Sequence, residues 1–267
     1  MISNMVQHTE SLRFGPYQLM RPLSLCRLGQ RWLVLHTDDQ TSHTLYHFRA
    51  CHDRVERRRF SESMQALSSL DHPHLLGIEM RSFASDGTPW AVTPYMGNHS
   101  GLVTIRDVVK AKGELLPAWE AERAVLQLLE AVDYAHSMGV HHGPINADDV
   151  LVDTHGSILI EMYGVAHTLA GLGRSNPEII RDEIRSLVEI AYRIATGLPA
   201  DEPRIPATRL DKRIPATFER WLETGLNPSL GYKNAAEAIA KLPCRCTDPV
   251  DTSRVKIVLN RMKVWAK

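Results

Sequence analysis

The loop of residues 141–149, HHGPINADD, carries His142, Asn146, Asp148 and Asp149. Asp148 and Asp149 are adjacent carboxylates. Oxygen donors of that kind can hold magnesium, and the same side chains serve equally as solvated or turn-capping groups. Downstream, between Thr154 and Arg181, the only acids are Glu161 and Glu178. No lysine precedes Lys110, so a phosphate in the first part of the chain would have to be met by an arginine. An arginine keeps the charge but not the compact ammonium. The 13 histidines include no H-E-x-x-H or similar pair, and Cys26, Cys51, Cys244 and Cys246 form no C-x-x-C. Neither a zinc site nor a disulfide framework is expected, and the cysteine usage fits a reducing, cytoplasmic compartment.

These groups need elements to position them. From Tyr17 to Phe48 the chain reads as strands, with a turn cluster at residues 37–43. Residues 52–70 read as a helix with Val55, Phe60, Met64, Leu67 and Leu70 near one face. DHPHLLGI then starts another strand, and PWAVTPYMGN follows a turn at Ser85-Asp86-Gly87. Helices are expected near Thr104–Ala111 and Pro117–Ser137. Pro117 suits the first helical turn, and Ala121, Ala124, Val125, Leu128, Val132 and Ala135 make an apolar stripe. Two short apolar runs, 150–152 and 158–160, form a hairpin around a Thr-His-Gly turn, and helices follow near 181–196, 215–226 and 232–242.

At 267 residues the chain can hold one two-lobed domain or two small ones. Hydrophobic residues make up 43% and 31 acidic residues balance 31 basic ones, which describes an ordinary globular protein. Zero formal charge argues against a general nucleic-acid or membrane-surface binder. No apolar run approaches the ~18 residues that span a bilayer. The first 13 residues have no signal-peptide pattern and read as a loose leader.

The stretch Ala131–Ala166 resembles the core of the protein kinase family, whose pattern is H-R-D-x-K-P-x-N, an apolar triplet, a hairpin, then D-F-G. RFSESMQALSSLDHPHLL resembles the family's αC helix and the turn after it. RSLVEIAYRIATGLP resembles the large-lobe helix that ends in T-G-x-P, and TFERWLETGLNPSLGYKNAAEAI resembles the closing helices. The resemblance covers roughly residues 15–243, with the matches in order. It implies an α+β, bilobal protein-kinase-like fold, with a small β-rich N-lobe bearing one main helix and a larger, mainly helical C-lobe. The expected boundaries are a leader at 1–13, a kinase-like domain at 14–243 and an extension at 244–267. The domain divides into an N-lobe at about 14–93, a hinge at about 94–99 and a C-lobe at about 100–243. In the extension, Val258, Met262 and Trp265 would cover an apolar patch.

Phosphoryl transfer asks the protein mainly for positioning and charge stabilisation, and the resemblance shows where those groups should stand. The glycine-rich pattern L-G-x-G-x-x-G-x-V matches Leu23 to Arg31. Ser24 and Cys26 replace two glycines and only Gly29 remains. Arg49 stands at the end of the V-A-I-K match on the third strand, and Ser63 takes the αC glutamate position with Glu62 beside it. Thr93 is the gatekeeper, and Pro94-Tyr95-Met96 form the hinge. Packing positions survive in Leu67, His142, Tyr163, Gly164 and Leu187. Catalytic ones do not: Gly143 replaces the H-R-D arginine, Pro144 the catalytic Asp, Asn146 the loop lysine and Met162 the metal-binding Asp, while Asp149 takes the place of the metal-binding Asn. A strand's alternation would turn Glu161 away from Met162. Glu183 replaces the buried Asp that braces the catalytic loop. Only about a dozen residues separate Gly164 from Pro177-Glu178, which resembles the end of A-P-E, and Gly231 stands where that glutamate's arginine partner is expected.

The resemblance therefore implies a degenerate member of the family, a pseudokinase of bacterial style. It would act by binding another protein in signalling, with no cofactor expected. The alternative is an atypical active Ser/Thr protein kinase, with Arg49 on phosphate and Asp148 and Asp149 on magnesium, using ATP. A kinase-like small-molecule phosphotransferase is disfavoured, because it needs the same metal-binding positions. Arg54, Arg57, Arg58 and Arg59 form a basic run that reads either as a solvated helix face or as a dock for an acidic partner.

Overall fold

The computed structural model describes residues 13–112, 117–171, 176–201 and 203–243. The chain forms two compact units, one of residues up to 51 and 79–95, the other of residues 52–78 and from 96 onward. The leader up to residue 12 and the extension from 244 lie outside the described residues.

The first unit is a six-stranded antiparallel sheet. Its strands are β1 (Arg13–Phe14), β2 (Tyr17–Pro22), β3 (Gly29–His36), β4 (Ser42–Phe48), β5 (Met80–Phe83) and β6 (Pro89–Pro94). Their order is β1-β2-β3-β4-β6-β5. The five strands expected are joined by a short sixth at the leader's edge. Tyr17, Val34, Leu45, Trp90 and Val92 form the core on one face. The register of β4 on β6 pairs Thr44 with Thr93 and Tyr46 with Ala91, so those side chains share a face.

The second unit begins with α1 (Arg54–Ser68). Asp53 caps it by accepting the Glu56 N–H at 2.8 Å. Phe60, Ser63, Met64 and Leu67 are its buried residues, whereas Val55 is 56% exposed. Val55 was expected on the packed face but lies in the first turn, ahead of the buried stripe. Residues 72–78 form no strand: Leu76 N–H donates to the Ile160 carbonyl at 3.0 Å and Ile160 N–H to His74 at 2.9 Å.

α2 (Ile105–Lys112) starts at a reciprocal cap, in which the Thr104 N–H donates to Asp107 at 3.0 Å and the Asp107 N–H to Thr104 Oγ1 at 3.2 Å. α3 (Ala118–Ser137) is a 20-residue helix that buries Ala121, Val125, Leu128, Val132 and Ala135. β7 (Val150–Val152) and β8 (Ile158–Ile160) make the expected hairpin, and all six of their residues are buried. α4 (Val165–Leu169) packs against α1.

α5 (Pro177–Thr196) starts four residues before the expected boundary. Pro177 occupies its first turn and Asn176 accepts the Glu178 N–H at 3.0 Å. Pro177-Glu178, read from sequence as the end of a loop motif, is thus the start of this helix. α6 (Ala207–Leu210), α7 (Ala216–Leu226) and α8 (Ala235–Lys241) complete the unit, with Trp221 stacked between Phe218 and Tyr232. Among the described residues no helix is long and apolar enough to cross a membrane.

Candidate functional site: a braced loop with altered chemistry

The loop between α3 and β7 is built around Glu183 of α5. Glu183 is wholly buried. Its Oε2 accepts the backbone N–H of His142 at 3.0 Å and of Gly143 at 3.1 Å, and its Oε1 accepts the Tyr163 hydroxyl. His136 Nε2 stands 3.4 Å from Oε2. Burial works to raise the Glu183 carboxyl, but His136, His142 and the Tyr163 hydroxyl outweigh it and hold the group below its ordinary value. Burial first, and then the facing carboxylate, push the Tyr163 phenol well above its usual range, so it remains a donor.

His142 and Tyr163 meet with ring centroids 5.3 Å apart. Gly164 follows at φ +75°, and a Cβ there would stand 2.9 Å from Val140 Cγ1 and 3.1 Å from the His141 carbonyl. Only glycine fits that close approach. The Glu183 carboxylate thus joins the backbone of His142 and Gly143 to the Tyr163 side chain.

The positions that the resemblance assigns to catalysis and metal hold these side chains. Pro144 has no carboxylate to take a proton. Asp149 is buried and caps its own turn, its Oδ2 accepting the Asn146 N–H at 2.9 Å and Nδ2 at 3.4 Å. Asp148 is half-exposed and pairs with Arg106 at 2.7 Å. Met162 is buried with φ +49°. Because β8 ends at Ile160, strand alternation does not extend to residues 161 and 162, and Glu161 is buried as well. Magnesium, which the family uses with ATP, takes hard oxygens in a near-octahedral array. A thioether and a carboxylate engaged in a turn do not fit it. Among the described residues, the only group of three or more His, Cys, Asp or Glu donors that converge is His136, His141 and Glu183.

The first unit holds the other predicted positions. The turn from β2 to β3 closes through paired backbone bonds between Cys26 and Gly29, 3.1 and 3.2 Å long. A Cβ at Gly29 would meet the His47 carbonyl at 2.2 Å. Sequence reasoning passed over Arg31, which stands at the last position of the glycine-rich pattern, where the family has Val. It is 2% exposed. Its Nε donates to the Ser24 carbonyl at 2.8 Å, and a terminal nitrogen donates to Ser24 Oγ at 2.8 Å and to the Leu25 carbonyl at 3.3 Å. The available signal was a charge on a strand at an apolar position.

Arg49 does not stand on β4. The strand ends at Phe48, and Arg49 is exposed beyond it. On β4 the residues that share the face of Thr93 are Thr44, Tyr46 and Phe48, all buried and none cationic, and the cation on that face is Arg31 of β3, opposite Tyr46. Tyr95 hydrogen-bonds Arg21, while burial raises its hydroxyl above the ordinary value. In the second unit, Ser63 is buried and donates to the Phe60 carbonyl at 2.8 Å, and Glu62 pairs with Arg58 at 2.7 Å on the exposed face of α1. The short segment after Gly164 is described only to Gly171 and again from Asn176.

Comparison with known proteins agrees with this frame. The protein kinase domain model matches residues 31–180. Serine/threonine-protein kinase PrkC of Bacillus subtilis is 27% identical over 158 residues, which cover 58% of this chain and 24% of that protein. Serine/threonine-protein kinase PknF of Mycobacterium tuberculosis is 25% identical over 274 residues, covering 90% of this chain and 56% of that protein. The chain thus spans about a quarter of the length of the first relative and just over half of the second. Among solved structures, the Mycobacterium tuberculosis PknI kinase domain superposes with a TM-score of 0.66 at 21% identity, covering 87% of this chain and 96% of that one. The fold is the bilobal kinase fold, a β-sheet N-lobe and a helical C-lobe, although α1, expected in the N-lobe, groups here with the helical unit; the chain belongs to the protein kinase domain family.

Proposed function

We propose that this chain is a pseudokinase domain that works by binding a protein partner, as a regulatory or scaffolding module of cytoplasmic signalling. One observation carries the reading: the brace is intact while the groups it should position are replaced. Glu183 holds the backbone of His142 and Gly143 in place, yet the next residue is Pro144, and Met162 precedes the retained Tyr163-Gly164. The Arg31 side chain adds support, because those of its N–H groups that bond the Ser24 and Leu25 carbonyls and Ser24 Oγ are spent within the glycine-loop match rather than on a phosphate. No cofactor is needed for this role.

The names of the relatives favour a second reading, an atypical Ser/Thr protein kinase that uses ATP and magnesium. A thermal-shift titration with ATP, with and without magnesium, separates the two. Ligand at a hundred times its Kd stabilises a folded protein by about 2.7 kcal/mol. The pseudokinase reading expects no magnesium-dependent rise in melting temperature. A saturable, magnesium-dependent rise would favour the kinase.

A further inference from the structure

We infer that His136, His141 and Glu183 form a binding site for one zinc-class divalent cation. The donors come from three elements: the last turn of α3, the loop after it and the middle of α5. One ligand atom of each lies within 4.8 Å of the others. The 3.4 Å between His136 Nε2 and Glu183 Oε2 matches a tetrahedral edge, which is about 3.4 Å for metal–ligand bonds of about 2.1 Å. The two imidazoles face each other with centroids 4.7 Å apart.

His141 Nδ1 is buried without a hydrogen-bond partner, a condition that folded proteins seldom leave unanswered, and the buried His136 Nε2 has the Glu183 carboxylate beside it at 3.4 Å.

Two nitrogens and one carboxylate oxygen suit zinc, cobalt or nickel, and they do not suit magnesium or calcium, which take oxygens. The His142 and Gly143 N–H groups and the Tyr163 hydroxyl already orient the Glu183 carboxylate, as outer partners do at metal sites. Three protein ligands leave a fourth position for water. A bound ion would tie the end of α3 to the bracing helix across the altered loop. The inference does not depend on whether the chain transfers phosphate.

The test uses the whole chain, stripped by chelator and titrated with zinc by calorimetry, and with cobalt by visible absorption. One equivalent of zinc should bind and raise the melting temperature, and cobalt should give the intense bands of a tetrahedral site. His141→Leu keeps the volume of this buried position and removes a ligand. It should weaken zinc binding by more than the about 10–100-fold lost with an outer-shell partner, and abolish both the cobalt bands and the zinc-dependent melting shift. If His141→Leu does not fold, His136→Gln should show the same losses. Absence of saturable zinc binding by the folded chain would overturn the inference, as would zinc binding that either variant leaves unchanged.

Discussion

Replacing Tyr163 by Phe restores the residue that the family carries before this glycine, and it should nevertheless destabilise the protein. The ring is wholly buried, so the substitution removes one oxygen and leaves the packing intact. What is lost is the hydroxyl's bond to the Glu183 carboxylate. A hydrogen bond to a charged group contributes about 1.5–3 kcal/mol. Glu183 keeps two backbone donors at 3.0 and 3.1 Å after the change, so the expected loss is at the low end, about 1.5 kcal/mol. Equilibrium urea denaturation reads it as a lower midpoint with an unchanged slope. A double-mutant cycle with Glu183→Gln isolates the pair, and coupling of about 0.5–3 kcal/mol is expected for groups in contact. A Tyr163→Phe protein as stable as its parent would refute the reasoning. So would zero coupling, which would place the loss somewhere other than the brace.

Three further outcomes follow from the same geometry. Gly164→Ala puts a Cβ at 2.9 Å from Val140 Cγ1 on a backbone of φ +75°; it should cost at least the ~1–2 kcal/mol of the left-handed conformation, read by thermal melting. Arg31→Met frees the carbonyls of Ser24 and Leu25 from their buried donor. Hydrogen exchange should then speed up in residues 23–29 and stay unchanged in α5, and uniform exchange would count against the clamp. Burial and then His74 hold His72 below its ordinary pKa. Its folded pKa is the lower one, so its contribution to stability is present above about pH 6.5 and lost as pH falls through the folded value. The drop in urea midpoint from about pH 7.5 to about pH 5.5 should shrink in His72→Gln.

Much of this fold is legible in the sequence because it is written in local periods. The stripe of α3, the hairpin of residues 150–160 and the buried face of α1 from Phe60 onward all follow from apolar spacing. Where the structure departs, a local rule had met a competing one. Val55 lies five residues before Phe60, which at 3.6 residues per turn rotates it about 140° from the packed stripe, so it is exposed. The helix expected from residue 181 begins at Pro177, because proline suits the first helical turn and Asn176 caps it.

At the site the sequence offers expectations rather than outcomes: Pro144 and Met162 stand where the resemblance puts two of the family's acids, and neither side chain carries a carboxylate. Arg49 was misplaced because a motif match carries no information on where β4 ends, and the sheet register puts Thr44 and Tyr46 beside Thr93 instead. Arg31 and the His136, His141 and Glu183 group depend on which side chains meet after folding, and no spacing in the chain encodes that.

The most direct test of the central reading is phosphate incorporation from labelled ATP and magnesium, into the chain itself and into a generic protein substrate, with Asp149→Ala run alongside. The account predicts no incorporation above background for either protein. Robust labelling of the parent chain that Asp149→Ala abolishes would contradict it.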